Sequence, residues 1–313
     1  MRNSNSSRRL FLRNVSGLAA ICVDAAAQEN VRVPWSSGTE APHRKTPKNG
    51  ADCHHHIYDS RFPADPRAKL RPGNATVAEY RLLQKRIGTT RNVIVQPSTY
   101  GVDNRCMLDA LRQFGLSTTR GIAVVNTEVS DSTLKELHAA GVRGIRFNLV
   151  QAGATTAEMI EPLAKRVAEF GWHVQVNAPR EQIQAALRIW NSLPVPLVFD
   201  HLGHVLGPEE PVFGTIAGLL QSGKCWMKLS GTYIDSRVGP PAYSDSGKVA
   251  KAYMREAVER LVWGTDWPHP TINEKPDDAL LPDLLAEWCP NSAVRERILV
   301  DNPTKLYGFA VSS

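Results

Sequence analysis

Asp52-Cys53-His54-His55-His56 is the run from which the rest of this chain is best understood. On a β-strand alternate side chains share a face, which groups Asp52, His54 and His56 and sends His55 the other way. Two imidazoles two residues apart at a strand end suit a metal ion, or a paired grip on one substrate oxygen. A histidine-rich surface tract would read the same way in isolation, so the weight falls on what else the chain supplies.

It supplies seven further strand-like runs: residues 91–98, 120–126, 142–149, 172–178, 197–203, 225–231 and 261–268. Several are apolar on both faces, as strands buried in a parallel sheet must be. The segments between them carry helical periodicity. Asp103 to Phe114 is one such helix; Asp131 to Ala139 starts at an Asp cap and stops at Gly141; Thr156 to Phe170 stops at Gly171. Eight strands alternating with helices predict an α/β fold, a single (β/α)8 TIM barrel. A doubly wound open sheet competes, but no phosphate-binding glycine motif follows an early strand. At 313 residues and 42% hydrophobic, the chain is large enough for one such core.

Chemistry in these barrels sits at the carboxyl ends of the strands. The inward terminal residues are His54 and His56, Gln96 and Ser98, Arg146 and Asn148, Gln175 and Asn177, His201, Lys228 and Ser230, and Asp266. Buried polar groups left unpaired cost about 1–3 kcal/mol each, so such a ring implies a function. His54, His56, His201 and Asp266 could hold a divalent ion that acidifies bound water. Alternatively the imidazoles donate to a carbonyl oxygen while Asp266 takes a proton. Arg146 suits an anionic ligand or a structural carboxylate; Lys228 suits pairing with Asp52 or Asp266. His173 lies at the stability end of its strand, and His204 and His269 in loops past the mouth. Residues 231–246, with Tyr233 and Arg237, form the longest connection and read as a lid or substrate contact.

Residues 1–27 read as a twin-arginine signal peptide: Ser7-Arg8-Arg9-Leu10-Phe11-Leu12-Arg13, an apolar stretch from Val15 to Val23, then Ala25-Ala26-Ala27. That predicts a periplasmic protein, with no membrane span after cleavage because so short an apolar run cannot cross a bilayer. Residues 28–48 read as a linker, and residues 49–313 as the catalytic domain. Of the net charge of +6, the signal carries +3 (Arg2, Arg8, Arg9 and Arg13 against Asp24) and the linker +2, leaving +1 for the domain. A nearly neutral body argues against nucleic acid as a partner. The five cysteines (Cys22, Cys53, Cys106, Cys225 and Cys289) have no metal-binding or disulfide spacing and read as mostly buried thiols.

The motifs Asp52-x-His54-x-His56, Phe199-Asp200-His201, Trp263-Gly264-Thr265-Asp266-Trp267-Pro268-His269 and Asp301-Asn302-Pro303 resemble the amidohydrolase superfamily. The resemblance covers roughly residues 50–309. It is closest to the branch holding 2-pyrone-4,6-dicarboxylate lactonase and galactarolactone isomerase. It implies hydrolysis of a lactone, with His54, His56 and His201 polarising the carbonyl and Asp266 activating water. The expected partner is a small anionic lactone. The substrate contacts it suggests are Gln96, Ser98, Arg146, Asn148, Asn177, Tyr233 and Arg237.

The lactonase branch works without a metal, so no cofactor is expected, with a single divalent ion such as Zn2+ as the alternative. No lysine ends strand four and no histidine ends strand five, which argues against two metals. The chain departs from the pyrone enzyme at Gln151, Ala152 and Gly153, where a second arginine is expected, and at Asn177 in place of an aromatic residue. Fewer cations point toward a sugar-acid lactone. Competing readings are a lactone isomerase, a mononuclear-metal hydrolase or decarboxylase, and a binding protein that has lost catalysis.

Overall fold

The computed structural model describes residues 32–311 except Ala152, so the expected signal peptide lies outside the described residues. Eight parallel strands hydrogen-bond in sequence order: β1 Ala51–His55, β2 Arg91–Val95, β3 Thr119–Ala123, β4 Val142–Asn148, β5 His173–Asn177, β6 Leu197–Phe199, β7 Cys225–Leu229 and β8 Leu261–Trp263. Helices alternate with them, from α1 (Val77–Ile87), α2 (Arg105–Phe114), α3 (Asp131–Ala139) and α4 (Ile160–Val167) to α12 (Asn302–Tyr307). The architecture is the (β/α)8 barrel that the alternating pattern predicts. Strands end earlier than the apolar runs suggest, because the residues that follow turn into the mouth.

Alternation divides each strand between two cores. Cys53, Val93, Val95, Ile122, Val198, Trp226 and Val262 pack together inside the barrel. Ile94, Ile145, Phe147, Val174, Phe199, Met227 and Trp263 face the helices. This phase corrects two readings. Gln96 follows the inward Val95 and is out of register with the interior. Asp52 does not share a face with His54: β1 and β2 shift register between Asp52 and His55, so Cys53 takes the inward place. The Asp52 carboxylate instead accepts from Tyr80 Oη at 2.9 Å and Thr265 Oγ1 at 2.6 Å.

Residues beyond β8 complete the closure of the barrel. The Asp266 amide donates to His54 O, and the His56 amide to Trp267 O, both at 2.8 Å. Gly264 is required there, because a Cβ would lie 2.7 Å from the His54 backbone nitrogen. The same seam sets Asp266 beside the histidines of β1.

Residues 32–48, read as linker, lie against the barrel. Val33 is buried, Trp267 Nε1 donates to Pro34 O at 2.9 Å, and Arg86 Nε donates to Glu40 O at 2.8 Å. Helix α3 is capped by Ser130, whose side chain accepts from the Thr133 amide, rather than by Asp131. Cys53, Cys106, Cys225 and Cys289 are free and buried. No helix among the described residues is long and apolar enough to cross a membrane.

Candidate active site

The four groups singled out from sequence meet at the carboxyl end of the barrel. Asp266 Oδ1 lies 3.3 Å from His56 Nε2, 3.5 Å from His54 Nε2 and 4.0 Å from His201 Nε2. All four side chains are buried. His56, His201 and Asp266 sit at the floor of a cavity of about 290 Å³ whose walls include Tyr58, Ser98, Arg146, Asn148, Asn177 and His204, and His54 stands behind them against Asp266.

Neighbouring groups fix how the imidazoles face the cavity. His56 Nδ1 lies 2.8 Å from Val95 O, which can only accept, so Nδ1 carries a proton and Nε2 is the nitrogen turned toward Asp266. His54 Nδ1 faces Asp200 Oδ1 at 3.3 Å, and His54 Nε2 is buried with no hydrogen-bond partner. Burial pushes the His54 ring well below the usual imidazole range and His201 down to about 4. At Asp266 burial opposes ionisation, but His201 and its companions outweigh it and hold the carboxyl well below the usual range.

The donors fit one divalent cation. His54, His56 and Asp266 offer ligand atoms within 4.8 Å of one another, as do His54, Asp200 and His201. Zinc–ligand bonds of about 2.0–2.2 Å in a tetrahedron put neighbouring ligands ~3.3 Å apart, close to the spacings around Asp266 Oδ1. Imidazole nitrogens and a carboxylate converging on one point form an arrangement that positive charge stabilises.

Behind the histidines lies a buried charge network. Asp200 Oδ2 accepts from Arg146 Nε at 3.0 Å and Gln175 Nε2 at 3.2 Å, and Lys228 Nζ stands 3.8 Å from Oδ1. Burial raises the Asp200 carboxyl, but its contacts with His54, Arg146 and Lys228 overcome this and hold it well below its usual range. Lys228 donates to Cys53 O at 2.8 Å and Gln175 Oε1 at 2.7 Å, so its carboxylate neighbour is Asp200 rather than Asp52 or Asp266. Burial pushes its ammonium down to about 8.

Residues 51–309 match the amidohydrolase family. A 2-pyrone-4,6-dicarboxylate hydrolase of Comamonas testosteroni is 34% identical over 289 residues, covering 87% of this chain and 94% of that protein. The chain belongs to the amidohydrolase family. A D-galactarolactone isomerase of Agrobacterium fabrum is 29% identical over 279 residues, covering 87% of this amidohydrolase and 94% of the isomerase. The crystal structure of an Agrobacterium tumefaciens protein superposes with a TM-score of 0.81 at 28% identity, covering 87% of this chain and all of that one.

The expected substrate contacts divide into two groups. Arg146, Ser98, Asn148 and Asn177 line the cavity of this amidohydrolase. Asn148 Nδ2 donates to Ser98 Oγ at 2.8 Å, and Asn177 Nδ2 to Asn148 Oδ1 at 3.2 Å. Gln96, Tyr233 and Arg237 are placed otherwise. Gln96 spends its amide on Asp103 O at 2.7 Å. Arg237 is exposed, and only its backbone amide is anchored, on Asp245 Oδ2 at 2.6 Å. Tyr233 Oη donates to Asp266 Oδ2 at 2.6 Å.

Sequence reasoning gave Asp200 no role and set His204 aside as a loop residue that could touch ligand. Asp200 was legible: counting by two from the inward Val198 reaches it, whereas His201 arrives by a left-handed turn at φ +50. His204 had no such signal, because its turn is also left-handed, at φ +56. It lines the cavity with Nε2 2.6 Å from Asn177 Oδ1 and Nδ1 2.7 Å from Asp235 Oδ2.

Proposed function

We propose that this amidohydrolase hydrolyses the ester bond of a small anionic lactone derived from a sugar acid or a dicarboxylate. The observation that carries the reading is the meeting of three imidazoles around one carboxylate oxygen that opens on a cavity walled by a guanidinium. Arg146 would hold a substrate carboxylate with the terminal nitrogens that Asp200 does not use. Asp266, ionised and fixed at Oδ2 by Tyr233, would take a proton from the attacking water and return it to the departing alkoxide.

Polarisation of the lactone carbonyl by His56 requires a proton on its Nε2, since Nδ1 already donates to Val95. A divalent ion held by His54, His56, His201 and Asp266 would supply that positive charge and acidify water. Metal analysis of the purified protein, with turnover measured before and after chelation, separates the two. A stoichiometric ion whose removal abolishes turnover would sink the metal-free route.

A lactone isomerase would use the same groups, with a substrate hydroxyl in place of water. The similarity to the galactarolactone isomerase and the single arginine among the described residues lining the cavity favour testing this second reading. A panel including 2-pyrone-4,6-dicarboxylate and D-galactarolactone, followed by proton release and product analysis, distinguishes them, because only hydrolysis releases net acid. No turnover of any lactone would refute both.

The export reading rests on the Ser7–Arg13 motif and the alanines that follow it. Lysine at both Arg8 and Arg9 should trap the protein in the cytoplasm of a bacterial host. Unchanged periplasmic recovery would exclude the twin-arginine route.

A further inference from the structure

Asp266 is gripped from behind by a chain of groups of which the proposed chemistry uses only the first, Tyr233. Tyr233 Oη lies 2.6 Å from Asp266 Oδ2 and 3.0 Å from His269 Nδ1. His269 Nε2 in turn lies 3.1 Å from both oxygens of Asp278. His269 and Asp278 are fully buried.

The local backbone is shaped to deliver this chain. Asp266 and His269 are the first and last residues of one turn, closed by the His269 amide donating to Asp266 O at 2.9 Å, and both have left-handed φ values, +66 and +55. Lys275 Nζ anchors the far end on His269 O at 2.6 Å. Tyr233 comes from α8 (Thr232–Asp235), which begins directly after Gly231. That glycine is required, because a Cβ there would lie 2.5 Å from His201 Nδ1. The tyrosine ring packs edge-on against His269 with centroids 5.1 Å apart.

Proton counting gives the chain a direction. The Tyr233 hydroxyl has one proton and two partners. The Asp266 carboxylate can only accept, so the hydroxyl proton belongs to that bond, and His269 Nδ1 holds the tyrosine oxygen from the other side. Asp278 holds the far nitrogen of the His269 ring in turn.

We propose that Tyr233, braced by His269 and Asp278, is a positioning residue. It occupies Oδ2 of Asp266 and leaves Oδ1 as the oxygen presented to the three imidazoles and the reacting water. This rests on the reading of Asp266 as the group that handles the water proton.

The test uses the full-length enzyme with 2-pyrone-4,6-dicarboxylate and D-galactarolactone as probes, in Tyr233→Phe, His269→Gln and the double variant. Gln places its amide nitrogen near the position of Nε2, so it keeps the bond to Asp278 while deleting the one to Tyr233. Each single change should lower kcat by about 10- to 100-fold with KM held within about twofold. The double variant should be no slower than Tyr233→Phe, because His269 acts through the hydroxyl. Losses that multiply, or a Tyr233→Phe enzyme with normal kcat, overturn the proposal. Should His269→Gln fail to fold, Tyr233→Phe decides alone.

Asp266→Asn separates the two levels. An inactive Asp266→Asn beside a fully active Tyr233→Phe removes the positioning role and leaves the function standing, whereas an active Asp266→Asn removes both.

Discussion

Arg146 shows how one side chain can serve two partners. Its Nε is committed to Asp200 at 3.0 Å, deep in the barrel, while the residue also lines the cavity. Arg146→Met should therefore raise KM for a carboxylated lactone by about 10- to 100-fold, the worth of a lost charge-assisted hydrogen bond. It should also lower stability by about 1–3 kcal/mol, because Asp200 loses a donor. Steady-state kinetics and denaturant unfolding read the two effects separately, and an unchanged KM would reduce Arg146 to a structural partner of Asp200. Asp266→Asn should lower kcat at least about 100-fold while the fold persists, checked by circular dichroism and turnover. Near-normal turnover in that variant would mean that another group handles the water proton.

Among the elements, the connection from β7 to α9 (Ser244–Ala257) carries the most consequence, because it brings Tyr233 to Asp266. Asp245 fastens its middle. The carboxylate accepts from Ser236 Oγ at 2.6 Å and from the amides of Arg237, Val238 and Ser246. Burial opposes the charge, but these hydrogen bonds overcome it and hold the carboxyl at about 2. A folded pKa below the unfolded value of 3.8 means that the stabilisation is fully present above about pH 4 and is lost as pH falls through about 2. Asp245→Ala should speed amide exchange at Arg237 and Val238 at neutral pH, and the difference from wild type should shrink as acid is added over that interval. Equal exchange in the two proteins at pH 7 would show that Asp245 does not fasten the segment.

At the scale of the molecule, residues 32–48 behave as part of the barrel. Arg86, on α1, gathers Glu40 O, Ser37 O and Asp277 Oδ1 around one buried guanidinium. The neighbouring Asp278 accepts from His269, so this strap lies against the positioning chain of Asp266. Deleting residues 32–48 should leave Arg86 with Asp277 alone and expose Val33's site, lowering Tm by several degrees. It should also reduce kcat more than a deletion of residues 1–31. Equal Tm and kcat in the two truncated proteins would show that the segment is dispensable.

The barrel, the order of its strands and the grouping of His54, His56, His201 and Asp266 were all legible in the sequence. Apolar periodicity reports burial directly, and a strand that ends in a polar residue announces the mouth. Tertiary structure alone set what surrounds those groups. The shift in β1 register moved Asp52 away from His54. A left-handed turn brought in His204, and the seam beyond β8 paired Asp266 with Tyr233 and not with a distant lysine. These outcomes depend on contacts between residues tens to hundreds of positions apart and on backbone angles that a period of two cannot represent. The contacts of residues 32–48 were hidden for the same reason: polar, proline-rich composition describes how a segment behaves alone, whereas Arg86 and Trp267 supply the surface it lies against.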